Sequence, residues 1–174
     1  AATYYQLSLE NRSRIKMSGA TPSLKIGNKS YAVYTTAAQL QAMGSTNTTF
    51  AALGDYLDIS GTTYTSSFYT NQFSGTFDGL GNIINGLTIR SSSVGSVGLF
   101  SSLKAATVRN VGLAYIDIKS SANSAATTSY EYIGGLTGLV TGSVISDITN
   151  ISGSWVTGAI AKEPGTATRA FFAG

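Results

Sequence analysis

The 174-residue chain has no cysteine and no histidine. Without cysteine there is no disulfide framework, thiol nucleophile, thiolate metal site or iron–sulfur cluster. Without histidine the usual Ser-His-Asp and Cys-His triads, HExxH zinc sites and histidine pH switches are excluded. Charge is also scarce: 11% of residues are charged, against roughly 25% in ordinary globular domains. No apolar run reaches the ~18 residues a membrane-spanning helix needs. The chain begins at Ala1 without the basic and apolar regions of a signal peptide and stops at Gly174. It reads as a mature or excised fragment.

What the chain does contain is small and β-branched. Gly, Ser and Thr fill 66 of the 174 positions, and there are ten tyrosines. That composition predicts one all-β domain over 1–174, built of short strands and tight turns. Low charge with many hydroxyls fits an extracellular protein better than a cytosolic enzyme. The net charge of +3 is uneven. Arg12, Arg14, Lys16, Lys25 and Lys29 against Glu10 give +4 over residues 1–30, and the remainder carries −1. With no aromatic platform beyond Tyr4 and Tyr5, the basic segment reads as a solvated end strand, and nucleic acid is not expected as a partner.

Alternation predicts strands over 3–18 and 23–34, with turns at Gly19–Pro22 and Gly27-Asn28. A short helix is predicted over 37–43, capped by Thr35 or Thr36 and closed by a left-handed Gly44. Tyr56–Ile59 reads as a strand and 61–72 as a polar loop. A repeat then emerges. Ile84-x-x-Leu87-x-Ile89 recurs 24 residues later as Val108-x-x-Val111-x-Leu113, and in part as Ile145-x-x-Ile148. Val97-Gly98-Leu99-Phe100 is echoed by Ile133-Gly134-Gly135-Leu136. This spacing, lengthened by a polar insert at Ser120–Ser129, predicts a right-handed parallel β-helix with polar loop insertions. All eight aliphatic side chains of the three repeats are expected inside. A β-sandwich fits the short apolar runs as the alternative.

Each candidate site has a bland competitor. Asp55 and Asp58 are the closest carboxylates, but a spacing of three on a strand puts them on opposite faces, so they read as turn and strand-end residues. Asp78 lacks the company of a calcium loop and reads as a turn cap. Gly79, Gly81 and Gly86 miss the dinucleotide spacing and read as corners. Asn11, Asn28, Asn47 and Asn150 head Asn-x-Ser/Thr sequons, no more than this composition yields by chance. Tyr64, Phe68 and Tyr69 stand in a polar setting and are the candidate ligand-binding residues, offering flat area with hydrogen bonding. The competing reading is that they fold back to cover the sheet. Tyr130 and Tyr132 sit at the exit of the second loop. Trp155 reads as core or sheet edge. No catalytic, metal or cofactor constellation is present, so no enzyme activity, no metal and no cofactor is expected.

Gly75-Thr-Phe77-Asp78-Gly79-Leu-Gly81-Asn-Ile-Ile84-Asn-Gly-Leu87-Thr-Ile89 resembles a segment of large bacterial exoproteins of the filamentous-haemagglutinin type. Val97–Phe100 and Ala106–Leu113 continue the likeness. Gly134–Val140 resembles the GLUG motif, named for its Gly-Leu-x-Gly core. Ser23–Tyr31, Gln39-Leu40 and Leu53–Asp58 resemble the usual lead-in, so the likeness covers about 23–157. The resemblance implies a secreted or surface-attached adhesin of two-partner secretion. It implies a host or neighbouring-cell glycan or protein receptor. It also implies an outer-membrane transporter for the parent protein, recognised by a domain other than this one. The competing class is a carbohydrate-active β-helix enzyme, a lyase or depolymerase, which needs acids and bases clustered on one face. An ice-type binder with Thr-x-Thr ladders is disfavoured because Thr63-x-Thr65 and Thr166-x-Thr168 do not repeat at the coil spacing.

Overall fold

Short extended runs interrupted by turn residues bury their apolar side only by pairing edge to edge, and the chain does this repeatedly. The computed structural model describes residues 13–19, 22–122 and 130–163, with the backbone of 169–173. The fold is mostly β, with parallel sheets and one short helix.

It opens with an antiparallel hairpin of β1 (Ser23–Ile26) and β2 (Lys29–Tyr34). Gly27 turns it at a φ of 61°, where a side chain would be strained. Helix α1 (Ala37–Gln41) follows. Thr36 accepts from the Gln39 backbone and Gln39 reaches back to the Thr36 backbone, a reciprocal capping box.

Four chain segments then run through the same sheets. The first holds β3 (Phe50–Leu53), β4 (Leu57–Asp58), β5 (Thr63–Tyr64) and β6 (Tyr69–Phe73). The second holds β7 (Thr76–Asp78), β8 (Ile83–Asn85), β9 (Thr88–Ser91), β10 (Gly95–Val97) and β11 (Phe100–Lys104). The third holds β12 (Thr107–Arg109), β13 (Gly112–Ser120), β14 (Tyr130–Gly134) and β15 (Thr137–Thr141). The fourth holds β16 (Asn150–Ser152), β17 (Trp155–Lys162) and β18 (Arg169–Ala173).

Every pairing between these segments is parallel. Matched residues therefore form columns. Ala51, Phe77, Val108 and Ile151 are successive partners. So are Leu57, Ile84, Leu113 and Val156, and Tyr64, Ile89, Ile118 and Ile160. The middle members are fully buried in one shared core. Each such side chain contributes about 1.5–3 kcal/mol through burial. At the first segment Leu40 and Met43, from and just after α1, are buried in the same core. At the fourth, Ile151 is 44% exposed, because nothing described lies over it.

Ile84, Leu87, Ile89, Val108, Val111 and Leu113 are all interior, as the repeat predicts. Val97 pairs with Ile133, so the echo holds at its first position, but the register slips by one within it and Phe100 pairs with Thr137, not Leu136. The internal alignment of the repeat is corrected. Ile84 pairs with Leu113 and Ile89 with Ile118, while Val108 occupies the Phe77 column. Ile145 and Ile148 are 99% and 73% exposed, not interior. They lie in an excursion between β15 and β16, pinned where the Asp147 carboxylate accepts from the Ser143 and Val144 backbones. Ile151 and Val156 hold the column places instead.

Other expectations shift locally. The 61–72 loop contains β5 and the start of β6. The strand read at Tyr56–Ile59 shrinks to Leu57–Asp58. Of the strand read at 3–18, residues 1–12 lie outside the described residues. Residues 13–18 form no strand, though the Ile15 and Met17 amides donate to Leu80 and Gly54. Gly44 is not left-handed. The helix ends at Ala42, whose amide donates to Ala38 and Leu40.

The corrected register predicts opposite outcomes for two isoleucines. Ile118→Ala should cost about 2–5 kcal/mol, and Ile145→Ser should stay within about 0.5 kcal/mol of the parent. Urea unfolding midpoints of the two variants check this.

Candidate functional site

The aromatic candidates belong to the interior. Phe68 and Tyr69 are 2% and 1% exposed, and Tyr64 is half-buried with its ring 5.3 Å from that of Phe68. Tyr69 packs against Phe73 and Phe100 at 6.0 and 5.7 Å, and Phe73 stacks on Phe100 at 5.4 Å. The Tyr69 hydroxyl donates to the Met43 carbonyl at 2.9 Å, tying the sheet to the end of α1. Burial raises the Tyr69 phenol above its ordinary pKa. As the molecule stands, Phe68 and Tyr69 offer a ligand no face. The polar neighbours that suggested exposure are the outward members of the same stretch: Thr70, Asn71 and Gln72 face water while Tyr69 and Phe73 face in. A double change of Tyr64 and Tyr69 would therefore disturb the core, and would not leave the fold intact.

The carboxylates are separately engaged. Asp78, fully buried, accepts from Arg109 Nε at 2.7 Å, from the Leu80 amide at 2.9 Å and from the Asn110 amide group at 3.1 Å. Arg109 also reaches the Tyr31 hydroxyl at 3.3 Å. Asp78 is thus the turn cap read from sequence, and with Arg109 it also links β7 and β12 to Tyr31 on β2. Removing one partner of such a buried pair costs about 3–5 kcal/mol. Leu80, inside the same turn, holds a φ of 53° while fully buried. Gly81 next to it has a φ of 76°, and a side chain there would strike the Ser13 backbone. Glu131 is also fully buried, with Lys162 Nζ 3.3 Å from its Oε2, yet neither carboxylate oxygen accepts a hydrogen bond.

The surface acids have their own partners. Asp55 binds Lys16 at 2.9 Å, and this bond, with the Tyr56 amide, holds its carboxyl below the usual range. Asp58 accepts from the Ser60 amide at 3.0 Å and from Asn85 at 3.2 Å, which lower it likewise. Asp117 pairs with Arg90, Asp147 with Lys104 at 3.7 Å and Glu163 with Lys119 at 3.8 Å. Among the described residues no three of His, Cys, Asp and Glu gather as metal ligands. Engaged one by one, these acids can orient and hydrogen-bond, and none is set beside a second as an acid–base pair.

Exposed aromatics appear where sequence reading did not place them. Tyr115, on β13, is 79% exposed, and Tyr56, just before β4, is 41% exposed. Trp155 is at the sheet edge, its indole lying against Gly112. One signal for Tyr115 was available: Leu113 and Ile116 are both interior but three apart, which requires a bulge between them. Tyr130 is exposed with its ring 6.4 Å from that of Tyr132, and most of the loop preceding them (123–129) lies outside the described residues. Asn28, Asn47 and Asn150 are exposed, and Asn11 lies outside the described residues. No helix among the described residues is long and apolar enough to cross a membrane.

Phe68→Ala should therefore cost about 3–5 kcal/mol, and Tyr69→Phe about 1 kcal/mol for the lost bond to Met43, both read by thermal unfolding. Asp55, Asp58 and Asp147 all have lowered folded values. Their contribution is complete above the unfolded carboxylate pKa and disappears as pH falls through the folded ones. A pH series of unfolding midpoints should fall below about pH 4, and flat midpoints there would contradict these bonds.

No family model, curated protein or solved structure matches the chain.

Proposed function

We propose that the four segments are successive coils of a right-handed parallel β-helix. On this reading the chain is a non-enzymatic structural and adhesive module of a secreted or surface-attached bacterial exoprotein. The observation that supports the reading is the parallel pairing that recurs from one segment to the next, interrupted by local bulges. Such a stack is stiff along its axis, because each layer is fixed to the next by both hydrogen bonds and interior columns. Loops can leave it without disturbing the columns, as the 142–149 excursion does between β15 and β16. The haemagglutinin-like string at 75–89 coincides with β7, β8 and the start of β9, the first three of the five strands of the second segment.

A receptor on a host or neighbouring cell, glycan or protein, fits a module of this kind. Secretion of the parent protein through an outer-membrane partner follows from the same resemblance. The separately engaged carboxylates favour attachment over polysaccharide cleavage.

Beads coated with the full chain should adhere to bacterial or epithelial cell layers above beads coated with an unrelated β protein. Incubation of the chain with polysaccharides should release no reducing ends. Adherence no better than the control would remove the adhesive role, and reducing-end release would replace the module with an enzyme.

A further inference from the structure

One outward face remains unexplained by the stack. Asp58 on β4 pairs with Asn85 on β8, which pairs with Ala114 on β13. The inward neighbours Leu57, Ile84 and Leu113 are buried. Tyr56, Asp58 and Asn85 therefore stand on the outer side, with Tyr115 following Ala114 at the bulge. Tyr56, just before β4, and Tyr115 on β13 are two strand spacings apart across the sheet and three residues apart along it, a backbone span of about 14 Å. Tyr115 holds a φ of 52°, a conformation that costs a tyrosine and would be free to glycine. Its ring is in water, so no packing compensates. Tyr115 stands opposite Gly86, itself at a φ of 74°, so the left-handed turn belongs to the corner, and it is the choice of an exposed tyrosine there that the stack does not explain. On the same outer side the Asp58 carboxylate is already oriented by the Ser60 amide and Asn85. Tyr56 itself is raised by partial burial and then by the fields of Asp58 and Tyr115. The face continues through Ile83 and Gly112 to a cavity of about 390 Å³ bordered by Arg14, Asn110 and Trp155.

We propose that this face binds an uncharged polysaccharide chain. Tyr56 and Tyr115 stack on the faces of two sugar rings, and Asp58 and Asn85 hydrogen-bond the hydroxyls between them. The inference rests on the attachment reading and names its ligand class. Two separated phenol rings around a fixed carboxylate and amide suit a ligand with apolar ring faces and hydroxyl edges. The carboxylate at the centre repels phosphate, sulfate and acidic sugars. A protein partner would require roughly 800 Å² of contact around a dry core, and Asp58 sits where that core would be.

Affinity electrophoresis of the full chain through gels containing mixed-linkage β-glucan, mannan or arabinogalactan tests this. Wild type should be retarded in at least one gel. Tyr115→Gly should weaken the retardation at least about tenfold in Kd while keeping or raising the melting temperature, because glycine relieves the positive φ. Tyr56→Ala should weaken it comparably with circular dichroism unchanged. No retardation of wild type in any gel overturns the proposal, as does retardation unaltered by both variants. Self-association that Tyr115→Gly abolishes, read by sedimentation of wild type and variant, overturns it in favour of a second copy as occupant. Bead adherence of the Tyr115→Gly chain separates the two levels. If wild-type beads adhere and the variant adheres equally, the face is wrong and the attachment reading stands. If wild-type beads do not adhere, the attachment reading itself fails.

Discussion

Parallel, in-register pairing between successive chain segments is the constraint on which the rest depends. Once Ile84 lies beside Leu113 and Ile89 beside Ile118, the inward positions of these columns are committed to apolar side chains and their outward neighbours are freed. A one-residue slip would exchange the two faces. The corners inherit the same demand, since the chain must turn at a fixed height without leaving backbone groups buried and unpaired. That is why the 78–82 turn gathers so much: a buried Asp78 paired to Arg109, a strained Leu80, a left-handed Gly81, and Asn82 donating to the carbonyls of Ile15 and Leu53. The turn joins β7, β12 and the incoming 13–17 segment in one network.

The two ends of the stack are finished differently. Leu40 and Met43 close the first end, and the Tyr69 hydroxyl fastens that closure through the Met43 carbonyl. At the other end Val140, Ile151 and Val156 border an open groove of about 350 Å³. The aromatic cluster of Tyr69, Phe73, Phe77 and Phe100 fills the interior near the closed end, where bulky rings supply area that the small residues elsewhere do not.

Much of this was legible from local pattern. The extended runs and the Gly27-Asn28 turn within 23–34 followed from alternation, the helix from a threonine cap and a run of helix formers, and the β10–β14 match from the echo of Val97 in Ile133. What depended on pairing at a distance was not. Val108-x-x-Val111-x-Leu113 has the same spacing as Ile84-x-x-Leu87-x-Ile89, but it spans a corner, so only the Cα partners reveal that Val108 belongs with Phe77. The 61–72 stretch is polar in composition because its outward residues are polar, which concealed that Phe68 and Tyr69 are core. Asp78 with Arg109, and Glu131 with Lys162, meet only after 31 residues of chain separate each pair. No local pattern announces such pairs. Tyr115 sits at an irregularity that a strict period of two passes over.

The absence of cysteine allows the stack itself to be measured directly. Thr63, Thr88, Asp117 and Ala159 are successive partners on one exposed column. Nitroxide labels on Thr63→Cys and Ala159→Cys, read by pulsed electron resonance, should report one population whose backbone separation is three strand spacings, about 15 Å. A separation of about twice that, or a spread with no single peak, would contradict the parallel in-register stack.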